Sequence, residues 1–303
     1  MDLIQSFERT IGLLRSNLIL FLPPLIITYL IPTALAFAAL YLVAPILILV
    51  GNNPAPLTVL LPGSVLAIGI TIILAVLAYS YVLAGWAEMN RNAVLTGKTG
   101  FDDFWAGTRK YFKRVLATVL VLALIYVVLV ALGVGATFAV LLPLITSFVA
   151  GGFSSITTSA QPSLMQILPA ITNTIVVWLV IMTAVGIVFL FTMFWLQSAM
   201  LDETGALGAL RKSVSFVKAN FATTLGIVGL YIIATGLTGA IFPGGGGGGG
   251  GGGLNGAFSF SMFIPPPLEA IFRLLITTFF MLYMFFIYAD KKEKLPRKML
   301  TKH

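Results

Sequence analysis

Six long stretches of the chain carry few polar side chains, and charged segments lie at both ends, between the second and third and between the fourth and fifth. A helix rises 1.5 Å per residue, so about 20 mostly apolar residues cross the hydrocarbon core of a bilayer. The pattern predicts spans at about 18–42, 65–87, 115–142, 171–200, 221–242 and 268–289. The first apolar run is the longest, since Leu18 to Val50 carries no charge. Pro23, Pro24, Pro32 and Pro45 remove backbone donors and should bend it. We read one kinked span, followed by an apolar extension over 43–50 at the far interface. A cleavable leader is the competing reading, because Ala34-Leu35-Ala36 has the spacing of a cleavage site. The run continues well past that point, which favours a retained span.

Composition turns the pattern into a solvent assignment. Hydrophobic residues make up 59% of the 303 and charged residues 9%, against about 25% charged in a soluble domain. So few charges cannot cover a water-exposed surface, which excludes a soluble enzyme, a disordered regulator and a disulfide scaffold. There is no cysteine, and the single histidine is His303. Thiolate or imidazole metal sites, histidine acid–base chemistry and a bound cofactor are therefore not expected. The net charge of +8 would suggest nucleic acid in a soluble chain, but its distribution points elsewhere.

Seventeen of the 18 basic residues fall in the N-terminal segment, the loops at 88–114 and 202–220, and the tail at 291–303. The loops at about 51–64, 150–167 and 243–267 carry no charge. Alternation of this kind follows the positive-inside bias. It predicts a multi-pass protein of the cell membrane with both termini cytoplasmic. Residues 1–290 are read as a single six-span domain, 243–264 as a flexible outer loop and 291–303 as a basic cytoplasmic tail. The outer loop holds ten consecutive glycines, Gly244 to Gly253. Such a run favours no regular element, and it lacks the Lys-Ser/Thr continuation of a phosphate loop.

Three cytoplasmic segments share a layout. When Arg15, Lys113 and Lys218 are aligned, Thr10, Thr108 and Ser213 coincide, as do Leu13, Tyr111 and Phe216, and Asn17 matches Asn220. Each segment reads as an amphipathic helix ahead of a pair of spans. The expected fold is all-α: a six-helix membrane bundle with interfacial amphipathic helices and a threefold internal repeat. In the second segment Phe101, Phe104, Trp105, Thr108 and Phe112 are expected on one face, with basic residues on the other. A helix of that kind lies in the headgroup plane. Its cations, Arg109, Lys110, Lys113 and Arg114, with Arg211, Lys212 and Lys218 from the third segment, are candidate contacts for lipid headgroups or a partner. Topological anchoring is the plainer role for them.

Charged groups inside the apolar runs are rare. Glu269 and Arg273 stand four residues apart on the sixth span, a spacing that allows an ion pair. A charge in the membrane is a functional candidate by default, here an outer-side pair, although a structural pair at the interface serves equally. Trp86, Trp105 and Trp195 are expected in an interfacial aromatic belt. Ala222, Gly226, Gly229, Gly236 and Ala240 form a small-residue stripe that would favour close helix packing. Asp102 with Asp103, and Asp202 with Glu203, suit the N-termini of the interfacial helices.

The stretch Thr99-Gly100-Phe101-Asp102-Asp103-Phe104-Trp105, followed by Lys110-Tyr111-Phe112-Lys113-Arg114-Val115-Leu116, resembles six-helix membrane families of unknown function from archaea and bacteria. The run Asp202-Glu203-Thr204-Gly205-Ala206 with Ala209-Leu210-Arg211-Lys212-Ser213-Val214 and Val217-Lys218-Ala219-Asn220-Phe221 does the same. The membrane domain fused to some glycerophosphodiester phosphodiesterases is similar. The resemblance implies six spans and carries over no catalytic residue, because the phosphodiesterase barrel has no counterpart in this sequence.

Two functional classes follow. The first is a non-enzymatic membrane protein that engages membrane lipids or membrane partners as a scaffold, with a protein partner or homo-oligomer left open and no nucleic acid. The second is a transporter or permease for a lipophilic or small neutral solute, suggested by internal repetition and by prolines and glycines that allow broken helices. The scarcity of polar groups within the spans weighs against the second. An intramembrane enzyme ranks last.

Overall fold

The computed structural model describes residues 3–37, 57–150, 164–241, 267–293 and 295. The expected 43–50 extension, the whole 243–264 loop with its Gly244–Gly253 tract and most of the basic tail lie outside the described residues. Among the described residues every regular element is helical. In chain order they are α1 (Leu3–Ser16), α2 (Leu18–Phe37), α3 (Leu57–Thr96), α4 (Phe101–Ala150), α5 (Leu164–Thr192), α6 (Trp195–Leu201), α7 (Ala206–Ala219), α8 (Phe221–Ile241) and α9 (Pro267–Lys291).

Six stretches are long and apolar enough to cross a membrane: Leu18–Phe37, Val65–Thr96, Phe101–Pro143, Leu168–Leu201, Phe221–Ile241 and Pro267–Lys291. They fall where the apolar runs predict them. Their outer faces carry large exposed apolar side chains, such as Ile68, Ile72 and Ile73 on α3 and Leu268, Ile271 and Phe272 on α9. This is the surface of a multi-pass membrane protein, whose spans are solvated by acyl chains.

Several boundaries differ from the sequence reading, each for a local reason. The prolines make α2 irregular: a 3-10 turn (Leu18–Phe21), one α turn (Leu22–Leu25) and a π turn (Ile26–Leu30) follow one another. Residues 101–114 do not form a separate helix in the headgroup plane. They are the first turns of α4, which runs unbroken for 50 residues, about 75 Å at 1.5 Å per residue. The fourth run breaks at Met193-Phe194, so α6 is a short helix of its own.

The described chain forms two compact units, Met1–Val119 with Phe194–His303, and Leu120–Met193. In the first unit α9 is the hub and contacts α1, α2, α3, α6 and α8. From Phe280 to Ala289 nearly every residue of α9 is buried, the pattern of a helix surrounded by others. In the second unit Gly133 lets two helices approach: a Cβ there would stand 3.1 Å from Ile181 Cγ1. Gly229 and Gly236 of the small-residue stripe on α8 have nothing within 4 Å of the Cβ position. The close packing expected of that stripe is therefore not made at these two positions.

Candidate functional site

Polar chemistry in the first unit gathers at one end, which we call the base. Here the C-terminal halves of α3 and α9 meet the start of α4, with α1, α6 and α7 around them. Two glycines bring α3 and α4 together. A Cβ on Gly107 would overlap Glu88 Cβ and stand 3.0 Å from the Ala84 carbonyl oxygen. A Cβ on Gly85 would overlap the Phe104 ring. Only hydrogen at both positions permits this crossing. Between the two helices Asp103 caps α4: its Oδ2 accepts from the Gly100 N–H and the Thr99 hydroxyl, both at 2.9 Å. Its Oδ1 accepts from Asn92 Nδ2 at 2.8 Å. This satisfies a helix N-terminus of the type expected from the paired acids.

Asp202 and Glu203 do something different. They precede α7 and reach α4 and α9 as well as α7 itself. Asp202 Oδ2 accepts the Tyr288 hydroxyl at 2.9 Å and faces Lys212 Nζ at 3.3 Å. Glu203 Oε1 accepts from Lys110 Nζ at 2.7 Å and from the Tyr111 hydroxyl at 3.2 Å. The Lys110 ammonium holds the Glu203 carboxyl below its ordinary range, through the hydrogen bond first and charge second. Glu203 has φ of +50°, the left-handed region that side chains other than glycine rarely adopt. Behind this loop Tyr288 packs in a cluster with Phe194 and Phe216, its ring centroid 4.6 Å from that of Phe216.

The seven candidate cations divide into two groups. Lys110 and Lys212 are tied as described, and Arg114 donates to the Ala199 carbonyl at 3.1 Å while lying 5.3 Å from the Tyr111 ring centroid. These three hold the base together. Arg109, Lys113, Arg211 and Lys218 are exposed, and none has an ion pair or hydrogen bond to a described residue. The aromatic face expected on residues 101–112 is split. Phe104, Thr108, Tyr111 and Val115 form the buried stripe, whereas Phe101 and Trp105 are exposed on the side of Arg109 and Lys113. Phe104 and Trp105 are adjacent, so they point about 100° apart and cannot share a face.

Of the expected aromatic belt, Trp105 is exposed, Trp195 is half-buried and Trp86 lies in the core. The pair on α9 forms: Arg273 Nε and Nη2 both stand 2.7 Å from Glu269 Oε1. Glu269 is 1% exposed and its Oε2 has no partner among the described residues, while Arg273 is exposed. Tyr29, in the π turn of α2, donates to the Ala270 carbonyl at 3.4 Å.

Sequence reasoning passed over Glu88. It is buried, pairs with Arg91 Nη1 at 2.8 Å and leaves Oε2 without a partner among the described residues. The signal was a carboxylate one turn before an arginine at the end of an apolar run, which reads equally as a solvated loop. Asn17, which the repeat alignment matches to Asn220, ties α1 to the α3–α4 turn. Its Nδ2 donates to Gly97 O at 3.1 Å and its Oδ1 accepts from Thr99 N at 2.8 Å. It also ends α1, at φ −134° and ψ 56°. Asn220 ends α7 at φ −127° and ψ 40°. Each donates its side-chain amide to the carbonyl four residues back, Leu13 and Phe216. Among the described residues no group of three or more acidic or histidine side chains could hold a metal ion.

No curated protein and no solved structure matches the chain. A family model described as a domain of unknown function (DUF7847) matches residues 1–288, and the chain belongs to that family.

Proposed function

We propose that this is a non-enzymatic membrane scaffold that engages lipids or membrane partners through its base, in the cell membrane with both termini cytoplasmic. The observation that carries the reading is how hydroxyls in the spans are used. Thr118, Thr224, Thr238 and Thr278 are buried, and each donates to the carbonyl four residues back in its own helix, Arg114, Asn220, Ala234 and Leu274. A hydroxyl satisfied in this way has no donor left for a passing solute. The charged residues of the first unit, by contrast, gather mainly at the base. Alternation of basic and uncharged loops supports the orientation.

The threefold repeat is part of the proposal. Its support is that the aligned Thr10, Thr108 and Ser213 are all buried, and that Ser6, Phe104 and Ala209, four residues earlier, are buried as well. The matched Asn17 and Asn220 end their helices with nearly the same backbone angles. In the middle copy Val115 takes the asparagine position, and α4 continues through it. The likeness to the membrane domain fused to some phosphodiesterases rests on the two quoted motifs and adds no activity.

The transporter reading is favoured by one feature, the π turn of α2 beside the Glu269–Arg273 pair, since such turns recur at functional sites. One experiment addresses the primary reading: purification of the full chain in nanodiscs formed directly from membranes, followed by mass spectrometry of lipids and proteins. Retention of specific lipid or of a protein partner is expected. A preparation holding neither would overturn the scaffold reading, and solute uptake into proteoliposomes would install the transporter in its place.

A further inference from the structure

This inference rests on the lipid-engaging reading and names the ligand. We propose that Arg109 with Lys113 on α4, and Arg211 with Lys218 on α7, are two contact sites for the phosphodiester headgroups of anionic lipids.

Three features point to that occupant. The first is charge. The four side chains are exposed and have no described partner. α7 contains no acid, and Asp102 on α4 lies seven residues before Arg109, about 10 Å away at 1.5 Å per residue. The base therefore carries positive charge that its own carboxylates do not neutralise.

The second is placement. Trp105, Arg109 and Lys113 are spaced four apart on α4, so they form one stripe on the exposed surface. Leu207 and Arg211 are likewise four apart, and Lys218 lies seven beyond Arg211 on the same side of α7. Trp105 and Leu207 are 48% and 72% exposed. An exposed indole one turn from Arg109 and two from Lys113 matches a bilayer interface, where acyl chains and phosphates lie within a few ångströms of each other. An acidic protein surface would meet the cations but not the apolar members of the same stripe.

The third is depth. α4 carries no charge after Arg114, and Phe221, exposed, opens the apolar α8 directly after α7. Both cation pairs thus mark the level at which charged sequence gives way to apolar sequence, which is where headgroups sit.

The test uses the full chain reconstituted in vesicles of equal phosphatidylglycerol and phosphatidylcholine, with native mass spectrometry of the lipids that stay bound. The unchanged protein should hold phosphatidylglycerol over phosphatidylcholine by about fivefold, the scale of one basic side chain's attraction to an anionic leaflet. Added salt should reduce that ratio. Combined Arg109→Gln, Lys113→Gln, Arg211→Gln and Lys218→Gln should bring it close to one with the melting temperature unchanged. If the fourfold variant does not fold, the α4 and α7 pairs are changed separately, and each should lower the ratio partway. Bound lipid without preference, or a preference that survives the substitutions, overturns the inference and leaves the scaffold reading standing. An acidic protein that co-purifies from membranes and is lost with the same substitutions also overturns it. Retention of neither lipid nor protein removes the scaffold reading itself.

Discussion

Apolar residues run through both the base of the first unit and the whole of the second, yet the two are packed differently. Every residue from Val82 to Asn90 is buried, as is every residue from Leu196 to Leu201. Among the described side chains of 120–193, only Gly133 and Ala170 are buried. The base excludes its surroundings with protein, whereas the second unit presents leucine, isoleucine, valine and phenylalanine outward along its helices. Apolar content therefore does not distinguish a residue that packs on protein from one that packs on lipid. What marks the base is that its small and polar groups are set against a neighbouring helix. Where Gly85, Gly107, Thr108 and Ser213 interrupt the apolar pattern, helices close on one another. In the second unit Gly133 makes one such approach, to Ile181, whereas Gly135 and Gly186 have nothing within 4 Å.

The contrast is broken most directly at glycine. Gly107→Ala places a methyl against Glu88 Cβ and the Ala84 carbonyl and should cost about 1–3 kcal/mol, the scale of overpacking. Gly186→Ala in the second unit meets nothing within 4 Å. It should be neutral or stabilising by up to about 1 kcal/mol through helix propensity. Unfolding of both variants in detergent micelles measures the difference. Equal losses would mean that the base is no more tightly packed than the lipid-facing helices.

Buried polar ties come next. Asp202→Ala leaves the Tyr288 hydroxyl and Lys212 without their carboxylate and should cost about 2–3 kcal/mol, because a buried donor is left unsatisfied. Tyr288→Phe removes one hydrogen bond and should cost about 1 kcal/mol. Thr183→Ala in the second unit removes an exposed hydroxyl that bonds only to its own helix at Leu179 and should change stability by less than about 0.5 kcal/mol. The same unfolding measurement ranks the three. A loss at Thr183 matching that at Asp202 would remove the distinction between tertiary and local bonds.

This contrast also explains what was legible in the sequence. The six apolar runs and their order could be read because burial in lipid demands an unbroken stretch of a length fixed by the bilayer. The length of α4 could not, because no local signal says whether the amphipathic residues 101–114 share a helix with the apolar run that follows them. Asn17 and Asn220 break their helices with side-chain bonds to their own backbone, and Val115 has no group with which to do so. The division of the cations into tied and outward groups was hidden for a related reason. Lys110 and Lys113 are three apart on one short stretch, and only the arrival of Glu203 from 93 residues away ties the first to the α6–α7 loop. Glu88 was passed over because its burial depends on Gly107, a contact that no local pattern encodes.

The asparagines sharpen the comparison within the base itself. Asn17 makes two bonds to the α3–α4 turn in addition to its local ones to Leu13 and Ser16. The side-chain amide of Asn220 bonds only to Phe216 in its own helix. Asn17→Ala should therefore cost about 1–2 kcal/mol and Asn220→Ala about half of that. Exchange of amide hydrogens at Gly97–Thr99 should accelerate in the first variant alone. Acceleration in neither would show that the turn is held without Asn17.

The smallest effect belongs to the exposed tie. Lys110 and Glu203 are both about half exposed, so the pair is screened by solvent and contributes at most about 1 kcal/mol. Its sign with pH is fixed all the same. The Glu203 carboxyl is held below its unfolded value near 4.5, so its contribution is complete above that pH and is lost as the pH falls through the lowered folded value. The melting temperature of the unchanged protein relative to Glu203→Gln should be constant between pH 6 and about 5, then converge with it on further acidification. Lys110→Ala should remove most of the convergence. If the difference instead grew on acidification, Glu203 would be more readily protonated in the fold than in the open chain. The bond from Lys110 would then not be what holds the α6–α7 loop in its left-handed turn.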